Sequence, residues 1–241
     1  MPTLLLRLSG PMQAWGTDSK VDTRTTAGHP SKSGVIGLVA AAMGRSRDDP
    51  LSDLSALRIG VRTDQEGTLM RDYHTVHHPR IDKRAYITNR YYLEDAMFIV
   101  GMEGDAALLE EIDDAVRRPF FPLFLGRRSC PVTGRVSLGL RDAPLEEALR
   151  CEPWHASAWY RRKMPQNVEL EIAVDSDGQG GYLVRDLPRS FSQERRLFDF
   201  RRERVVVCTM SNPDSRRKER STDHDAFKGL EVERCIYPGL N

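Results

Sequence analysis

Lysine, closely spaced cysteines and long apolar runs are all scarce in this chain of 241 residues. Only six of its 36 basic residues are lysines, so arginine supplies most of the positive charge. The four cysteines have no CxxC spacing, which disfavours a disulfide framework and fits a reducing compartment. The longest apolar run, 34–43, is too short to span a bilayer, and the N-terminus lacks a signal-peptide pattern. We therefore expect a cytoplasmic protein that does not contact a membrane.

The distribution of charge is more informative than the net charge of +1, which neither favours nor excludes nucleic acid. Residues 71–90 hold five basic and two acidic side chains, and residues 185–220 hold eleven and six. Residues 105–114 instead hold five acids and no base. Arginine presents a planar fork that suits phosphate and base edges, although a codon bias would also enrich arginine. Concentrated basic character favours an interface with nucleic acid.

Hydrophobic periodicity and capping residues predict a first half in which strands and helices alternate. Strands are expected at 3–8, 57–63, 69–76, 96–103 and 136–140, and helices at 31–43 and 105–117. This order, interrupted by a basic, tyrosine-rich segment at 77–92, is typical of the βαββαβ ferredoxin-like or RNA-recognition fold. The interrupting segment lacks core periodicity and is predicted to be an exposed hairpin or arm.

The second half is predicted to be a smaller, β-rich domain. Residues 142–165 are rich in proline, tryptophan and charge, which indicates a domain boundary. Strands are expected at 168–174, 181–185 and 204–209, followed by a flexible surface segment over 211–225. The chain is thus predicted to be an α+β protein with domains at 1–142 and 143–241.

The loop Gly10-Pro-Met-Gln-Ala-Trp-Gly16 follows the first strand directly. Its glycines permit positive φ and close approach, and its proline fixes the local turn. Two interpretations stay open. Trp15 is either an exposed stacking surface that holds a nucleotide or a buried anchor beneath a tight turn.

The segment Gly28-His-Pro-Ser-Lys-Ser-Gly34 does not satisfy GxxxxGK[ST], which excludes nucleotide hydrolysis at a phosphate loop. The free N–H groups of the following helix, together with Lys32, could still bind a phosphate. The alternative is an ordinary serine cap at Ser31 or Ser33.

Three further segments carry polar side chains. His74, His77 and His78 lack a helical frame for metal, and we expect no metal site. Tyr73, His74 and Lys83 could cleave RNA by acid–base action, but contact without chemistry is preferred. Residues 125–131, Leu-Gly-Arg-Arg-Ser-Cys-Pro, form either a phosphate clamp or a solvated turn. The run 187–196 is either a second basic patch or an arginine-rich strand edge.

Seven motifs in one order along residues 3–205 resemble a known family. They are Gly10-Pro-Met-Gln-Ala-Trp-Gly16, Pro30-Ser-Lys-Ser-Gly34 with Gly37-Leu38, Arg47-Asp-Asp49, Arg71-Asp-Tyr-His-Thr-Val76, Tyr92-Leu-x-Asp-Ala96, Leu125-Gly-Arg-Arg-Ser-Cys-Pro131 and Leu187-Pro-Arg-x-Phe191. Together they resemble the CasD family, the crRNA-binding subunits of type I-E CRISPR Cascade in the RAMP superfamily. The chain lacks the aromatic RNP1 pattern, so base stacking across an open sheet is not expected.

The resemblance implies a modified RNA-recognition domain with a β-hairpin thumb at about 73–95 and a small C-terminal β domain. It implies a subunit without cofactor or catalysis that grips the 5′ handle, the repeat-derived end of the guide RNA. Such a subunit caps the backbone filament beside the large PAM-reading subunit and meets target DNA through the complex. A metal-independent endoribonuclease acting on CRISPR repeats is the alternative.

The RNA contacts implied by the resemblance fall on matching positions and on the basic arm. They are Gln13, Trp15, Lys20, Arg24, Ser31, Lys32, Ser33, Arg71, Tyr73, His74, Arg80, Lys83, Arg84, Arg127, Arg128 and Ser129.

Overall fold

The chain is a mixed α+β structure, as predicted. The computed structural model describes residues 1–16, 23–76, 86–176, 178 and 180–217. Its strands are β1 Thr3–Ser9, β2 Met12–Gln13, β3 Thr23–Arg24, β4 Arg58–Gln65, β5 Thr68–Val76, β6 Tyr86–Glu94, β7 Met97–Glu103, β8 Ser137–Arg141, β9 Asn167–Asp175, β10 Tyr182–Ser190 and β11 Leu197–Ser211. Its helices are α1 Lys32–Ala42, α2 Ser52–Ala56, α3 Ala106–Arg117, α4 Leu145–Cys151 and α5 Ala158–Lys163. The predicted residues outside this description are Lys20, His77, His78, Arg80, Lys83 and Arg84.

The main sheet has seven strands in the order β10-β11-β9-β4-β7-β1-β8, each antiparallel to its neighbours. Four of these strands and two helices follow the chain order β1, α1, β4, β7, α3, β8. β1 lies between β7 and β8, so Thr3 is paired with both Glu103 and Arg141. The strands and helices predicted for the first half are confirmed, with ends that differ by at most two residues.

The C-terminal strands extend this same sheet instead of forming a sheet of their own. Strands do occur where they were predicted, but β9 pairs with β4 over Gly60↔Val174 to Arg62↔Ile172. The expectation of a separate β-rich domain over 143–241 is therefore wrong in its architecture. Backbone pairing across the predicted boundary makes one continuous sheet, which sequence periodicity cannot reveal.

Two apolar cores lie on opposite faces of the main sheet. Leu4, Leu6 and Leu8 of β1 pack in the core beneath α1 and α3, whereas Leu5 packs in the core beneath α4. Successive side chains of a strand point to opposite faces, so a strand buried on both sides is apolar throughout. The unbroken leucine run of β1 follows from this double coverage.

The predicted boundary at 142–165 is packed structure that contains α4 and α5. The buried Arg62 of β4 holds this segment against the main sheet. The guanidinium of Arg62 donates to the backbone oxygens of Leu149 and Glu152, each at 2.6 Å. The same guanidinium bonds both oxygens of Asp64. Burial raises the pKa of that carboxyl, against the opposing effect of Arg62. The boundary expectation is corrected accordingly.

A second, smaller sheet is built around the hairpin of β5 and β6. These strands pair antiparallel from Thr68↔Glu94 to Val76↔Tyr86. β6 also pairs with β2, antiparallel, and with β3, in parallel. The third predicted strand is therefore confirmed as β5. Of the arm predicted at 77–92, residues 86–92 lie in β6, and residues 77–85 are outside the description.

Candidate nucleic-acid interface

Segments far apart in the sequence meet beside the end of the main sheet where β1 and β4 end and β7 begins. β2 and β3 both pair with β6 on the edge opposite β5, and the backbone N–H of Ala14 donates to the oxygen of Leu125 at 3.1 Å. We call β2, β3, the β5–β6 hairpin and residues 124–131 the candidate interface. It contains most of the motif positions singled out from the sequence.

A glycine permits the closest approach within this candidate interface. Gly126 has φ +83°, and a Cβ placed there would lie 1.7 Å from the backbone oxygen of Ala14. No other residue type fits without moving one of the two loops. The glycine turn in the predicted clamp therefore docks residues 124–131 onto the loop that follows β1.

Trp15 is a buried anchor and not an exposed stacking surface. Its side chain is 1% exposed, and its indole N–H donates to Oε1 of Gln13 at 3.0 Å. Gln13 is buried too and donates to the backbone oxygen of Ala96 at 2.7 Å. The expectation that these two side chains contact RNA is corrected, since neither is accessible. They hold the loop in place, and a Cβ on Gly34 would come within 3.0 Å of the indole.

The N-terminus of α1 is hydrogen-bonded to a carboxylate of the same chain. Ser31 is the N-cap and accepts from the N–H of Gly34 at 3.3 Å, so the serine cap is confirmed. The N–H of Lys32 donates to Oδ2 of Asp186 at 2.7 Å. A carboxylate thus takes the position that the phosphate was expected to occupy. Ser33 is half-buried beside the cap.

Lys32 is buried and does not offer its charge to solvent. Its ammonium donates to Oδ2 of Asp175 at 2.7 Å and to the oxygen of Leu57 at 2.8 Å. Arg201 also binds Asp175, at 2.7 Å, and contacts Asp186 and Glu203 at 2.6 Å. We call Lys32, Asp175, Asp186, Arg201 and Glu203 the ionic cluster. The RNA-binding role expected of Lys32 is therefore corrected to a structural one.

Glu203 and the two residues that contact it, His29 and Tyr182, have shifted pKa values. Burial alone raises the pKa of Glu203, but the hydrogen bond from His29 and the charges of His29 and Arg201 outweigh it and lower the pKa to about 2. Burial alone lowers the pKa of His29, yet Glu203 raises it above its ordinary value. Burial and the nearby Glu203 raise the pKa of Tyr182 to about 12. The contacts with His29 and Arg201 thus keep Glu203 ionised near neutral pH.

The cations of the candidate interface are more exposed. Arg127 lies 4.6 Å from the ring centroid of Tyr92, and its Nη2 donates to the backbone oxygen of Arg24 at 2.9 Å. Its Nη1 has no hydrogen-bond partner among the described residues. Arg128, Ser129 and the side chain of Arg24 are exposed. The ring and the backbone oxygen of Arg24 hold the Arg127 guanidinium in place, and Arg128 is the exposed cation beside it.

The hairpin presents two different faces. Arg71 donates from Nε to Oδ1 of Asn89 at 2.9 Å, and Tyr73 is 56% exposed. His74 is hydrogen-bonded to Asp72. Because successive strand residues point to opposite faces, Tyr73 and His74 lie on different sides of β5. Arg71 and Tyr73 share one face, and His74 shares the other with Asp72.

Sequence reasoning missed three residues that organise the candidate interface. Arg90 is paired with Arg24 across β3 and β6, Asn89 orients Arg71, and Tyr92 supports Arg127. The signal was present in the polar and aromatic residues of 86–94, but only the pairing of β6 with β3 shows which side chains are neighbours.

The remaining sequence motifs have structural roles. Cys130 is buried, and burial raises the pKa of its thiol, as suits a residue not expected to be a nucleophile. Arg189 pairs with Asp199 at 2.9 Å on the edge strand β10, which favours the strand-edge interpretation of 187–196. Over the described ranges, no cluster of three metal-ligating side chains occurs and no helix is long and apolar enough to cross a membrane.

The chain is similar to CRISPR-associated proteins in both sequence and structure. Residues 3–204 match the family model described as "CRISPR-associated protein (Cas_Cas5)". The "CRISPR system Cascade subunit CasD" of Escherichia coli (strain K12) is 39% identical over 173 residues, which are 62% of this chain and 77% of that protein. A "CRISPR RNA-guided surveillance complex" chain superimposes with a TM-score of 0.75 at 31% identity, covering 94% of this chain and 98% of that one. A "Crystal structure of Cas protein" chain superimposes with a TM-score of 0.69 at 42% identity, covering 88% and 97%.

Proposed function

Because this chain belongs to the Cas5 family of CRISPR-associated proteins, we propose that it is a crRNA-binding subunit of a type I-E Cascade surveillance complex. It binds the 5′ handle of the guide RNA and caps the backbone filament beside the large PAM-reading subunit. Target DNA reaches it through the complex. The observation that carries this proposal is a family match over 3–204 that includes every segment of the candidate interface.

The binding surface we propose is the exposed part of the candidate interface. Arg24, Arg71, Arg127 and Arg128 supply positive charge around β6, and none has a carboxylate within 4.0 Å among the residues with assigned structure. Guanidinium groups with free donors suit a phosphate backbone. Lys20, Arg80, Lys83 and Arg84 remain predicted contacts, and so does the hydroxyl of Ser129.

The architecture supports binding through RNA backbone and shape. We propose that β1, α1, β4, β7, α3 and β8 form the ferredoxin-like RNA-recognition unit and that the β5–β6 hairpin is its thumb. An ordinary RNA-recognition domain stacks bases on an open sheet. Here α1 and α3 cover one face of the main sheet, and α4 covers the other. RNA therefore binds at loops and the hairpin, where Tyr73 and Tyr86 are exposed aromatic side chains.

The hairpin geometry favours binding without catalysis. A cleavage site would need Tyr73 and His74 to act on the same 2′-hydroxyl and phosphate. The two side chains lie on opposite faces of β5, and His74 is already held by Asp72. The endoribonuclease alternative therefore has less support than a binding role.

A pull-down from the native host tests this proposal. The tagged chain should recover short RNAs that share one repeat-derived 5′ end, together with other Cascade subunits. RNA of random sequence, or no RNA, would contradict it. Incubation of the purified chain with repeat RNA in EDTA separates the alternative, since metal-independent cleavage that His74→Ala abolishes would establish the endoribonuclease.

A further inference from the structure

A second aromatic and basic surface lies on α5 and the segment beside it. Trp159 is 47% exposed, and the ammonium of Lys163 lies 4.9 Å from its ring centroid. Arg162 and Lys163 are exposed on the same short helix. Trp154, just before α5, belongs to the core beneath α4, whereas Tyr92 of the candidate interface belongs to the opposite core. The two surfaces are therefore on different sides of the main sheet.

Folding brings a second basic segment to α5. Asn212 is buried and its amide donates to the backbone oxygens of Arg161 at 2.8 Å and Pro165 at 2.9 Å. The N–H of Arg216 then donates to the oxygen of Arg162 at 3.0 Å. Arg216 and its neighbour Arg217, both exposed, are thereby held beside α5. The position of these two cations is therefore set by hydrogen bonds to the backbone of α5 and of the residues that follow it.

Most of this positive charge is not neutralised locally. Asp214 forms an ion pair with Arg161, with Nε of Arg161 3.0 Å from Oδ2 of Asp214. No carboxylate of the described chain pairs with Arg162, Lys163 or Arg216. Uncompensated cations around an exposed indole suit a ligand that has both phosphates and unpaired bases.

We propose that Trp159, Arg162, Lys163, Arg216 and Arg217 form a second binding surface for single-stranded nucleic acid, distinct from the candidate interface. The cations contact the phosphate backbone, and a base stacks on Trp159. Recognition is independent of sequence because every base has a π face. The strand is an RNA or a single strand of DNA, both of which offer this chemistry.

The test measures binding of the full chain to 15-nucleotide oligo-U and oligo-dT that lack any repeat sequence, by fluorescence anisotropy over a series of salt concentrations. Trp159→Leu should weaken binding about tenfold, in line with the stacking of one base. Arg162→Gln/Lys163→Gln should reduce the magnitude of the salt slope by about 1.4, since each single-strand phosphate contributes about 0.7. The RNA and DNA arms identify the preferred strand.

The control variants remove an exposed aromatic ring or two exposed cations outside the proposed α5 surface. Phe120→Leu removes an exposed ring, and Arg47→Gln/Arg118→Gln removes two exposed cations. Both controls should bind homopolymers like the wild type. Equal losses in the controls would overturn the proposal, as would wild-type binding in both α5 variants or no binding by the wild type. Competition by poly-glutamate without any effect of Trp159→Leu would assign the surface to an acidic protein instead, and would also overturn it.

The experiments distinguish failure of this second binding surface from failure of the proposed crRNA-binding function. Arg127→Gln/Arg128→Gln should lose preference for handle RNA while keeping homopolymer binding. The α5 variants should keep the handle preference. Thermal melting of every variant checks that the fold is intact.

Discussion

The cations beneath the N-terminus of α1 and those around the β5–β6 hairpin lie in opposite electrostatic environments. In the ionic cluster, Lys32 is buried, Arg201 is half-buried, and together they are bonded to three carboxylates. In the candidate interface, Arg127 rests on an aromatic ring and Arg128 is exposed. The same chemical groups therefore stabilise the fold in one region and offer free donors in the other. The difference predicts opposite responses to substitution, pH and salt.

Among the substitutions that test this comparison, removing the guanidinium of Arg201 should have the largest effect on the free energy of unfolding. Arg201→Met leaves Asp175, Asp186 and Glu203 buried with too little positive charge, which costs about 3–5 kcal/mol. Urea unfolding measures this loss. The exposed neighbour Arg202→Met is the control and should change stability by less than about 0.5 kcal/mol. Equal stability of the two variants would contradict the assigned role of the cluster.

Acid should destabilise the protein through Glu203. Its pKa in the folded chain is about 2, below its ordinary value of 4.5, so its contribution is present above pH 4.5 and is lost as the pH falls towards 2. A shift of this size corresponds to roughly 3 kcal/mol. The unfolding free energy of the wild type and of Glu203→Gln, measured between those pH values, should converge. Parallel curves would show that Glu203 does not carry this dependence.

A paired substitution separates the two kinds of cation. Lys32→Met should reduce stability by about 2 kcal/mol, because Asp175 loses a charged hydrogen bond, and should leave the salt slope of RNA binding unchanged. Arg128→Gln should leave stability unchanged and reduce the magnitude of the salt slope by about 0.7. Urea melts and salt titrations with handle RNA measure both. The reverse pattern would overturn the division into a structural cluster and a binding interface.

The smallest expected effect is on the alkaline side and involves His29. Its pKa is raised by Glu203, so its stabilising contribution is complete below its ordinary pKa of 6.5 and is lost as the pH rises through the folded value. His29→Gln should therefore flatten the dependence of stability on pH above 6.5 without altering the acid side. An unchanged slope in this variant would assign that dependence to other groups.

Local sequence patterns predicted the two long helices, α1 and α3, and most strands, but not the short helices α2, α4 and α5. α1 begins after a serine cap and is followed by Gly44 at φ +75°, and α3 begins after Asp105 and ends before Pro119. These signals depend on a few adjacent residues. The continuity of the main sheet was not predictable in this way, because the pairing of β4 with β9 joins residues more than a hundred positions apart.

The candidate site was predictable as a region and less so residue by residue. Arg127 and Arg128 remain predicted contacts in the candidate interface, whereas Trp15 and Gln13 support the loop from inside. Side-chain type does not distinguish an aromatic ring that stacks on a base from one that anchors a turn. Burial decides between them, and burial depends on what packs above the loop.

The sequence by itself determined the order of the two long helices and most strands, the concentration of arginine and the motif order that identifies the family. Only the tertiary structure decided which cations are free. The ammonium of Lys32 is neutralised by Asp175. The backbone N–H of Lys32, at the start of α1, donates to Asp186, which is 154 residues away in the chain. Because charge pairing depends on distance in space and on exclusion of water, a basic residue acquires its role when distant strands are brought together.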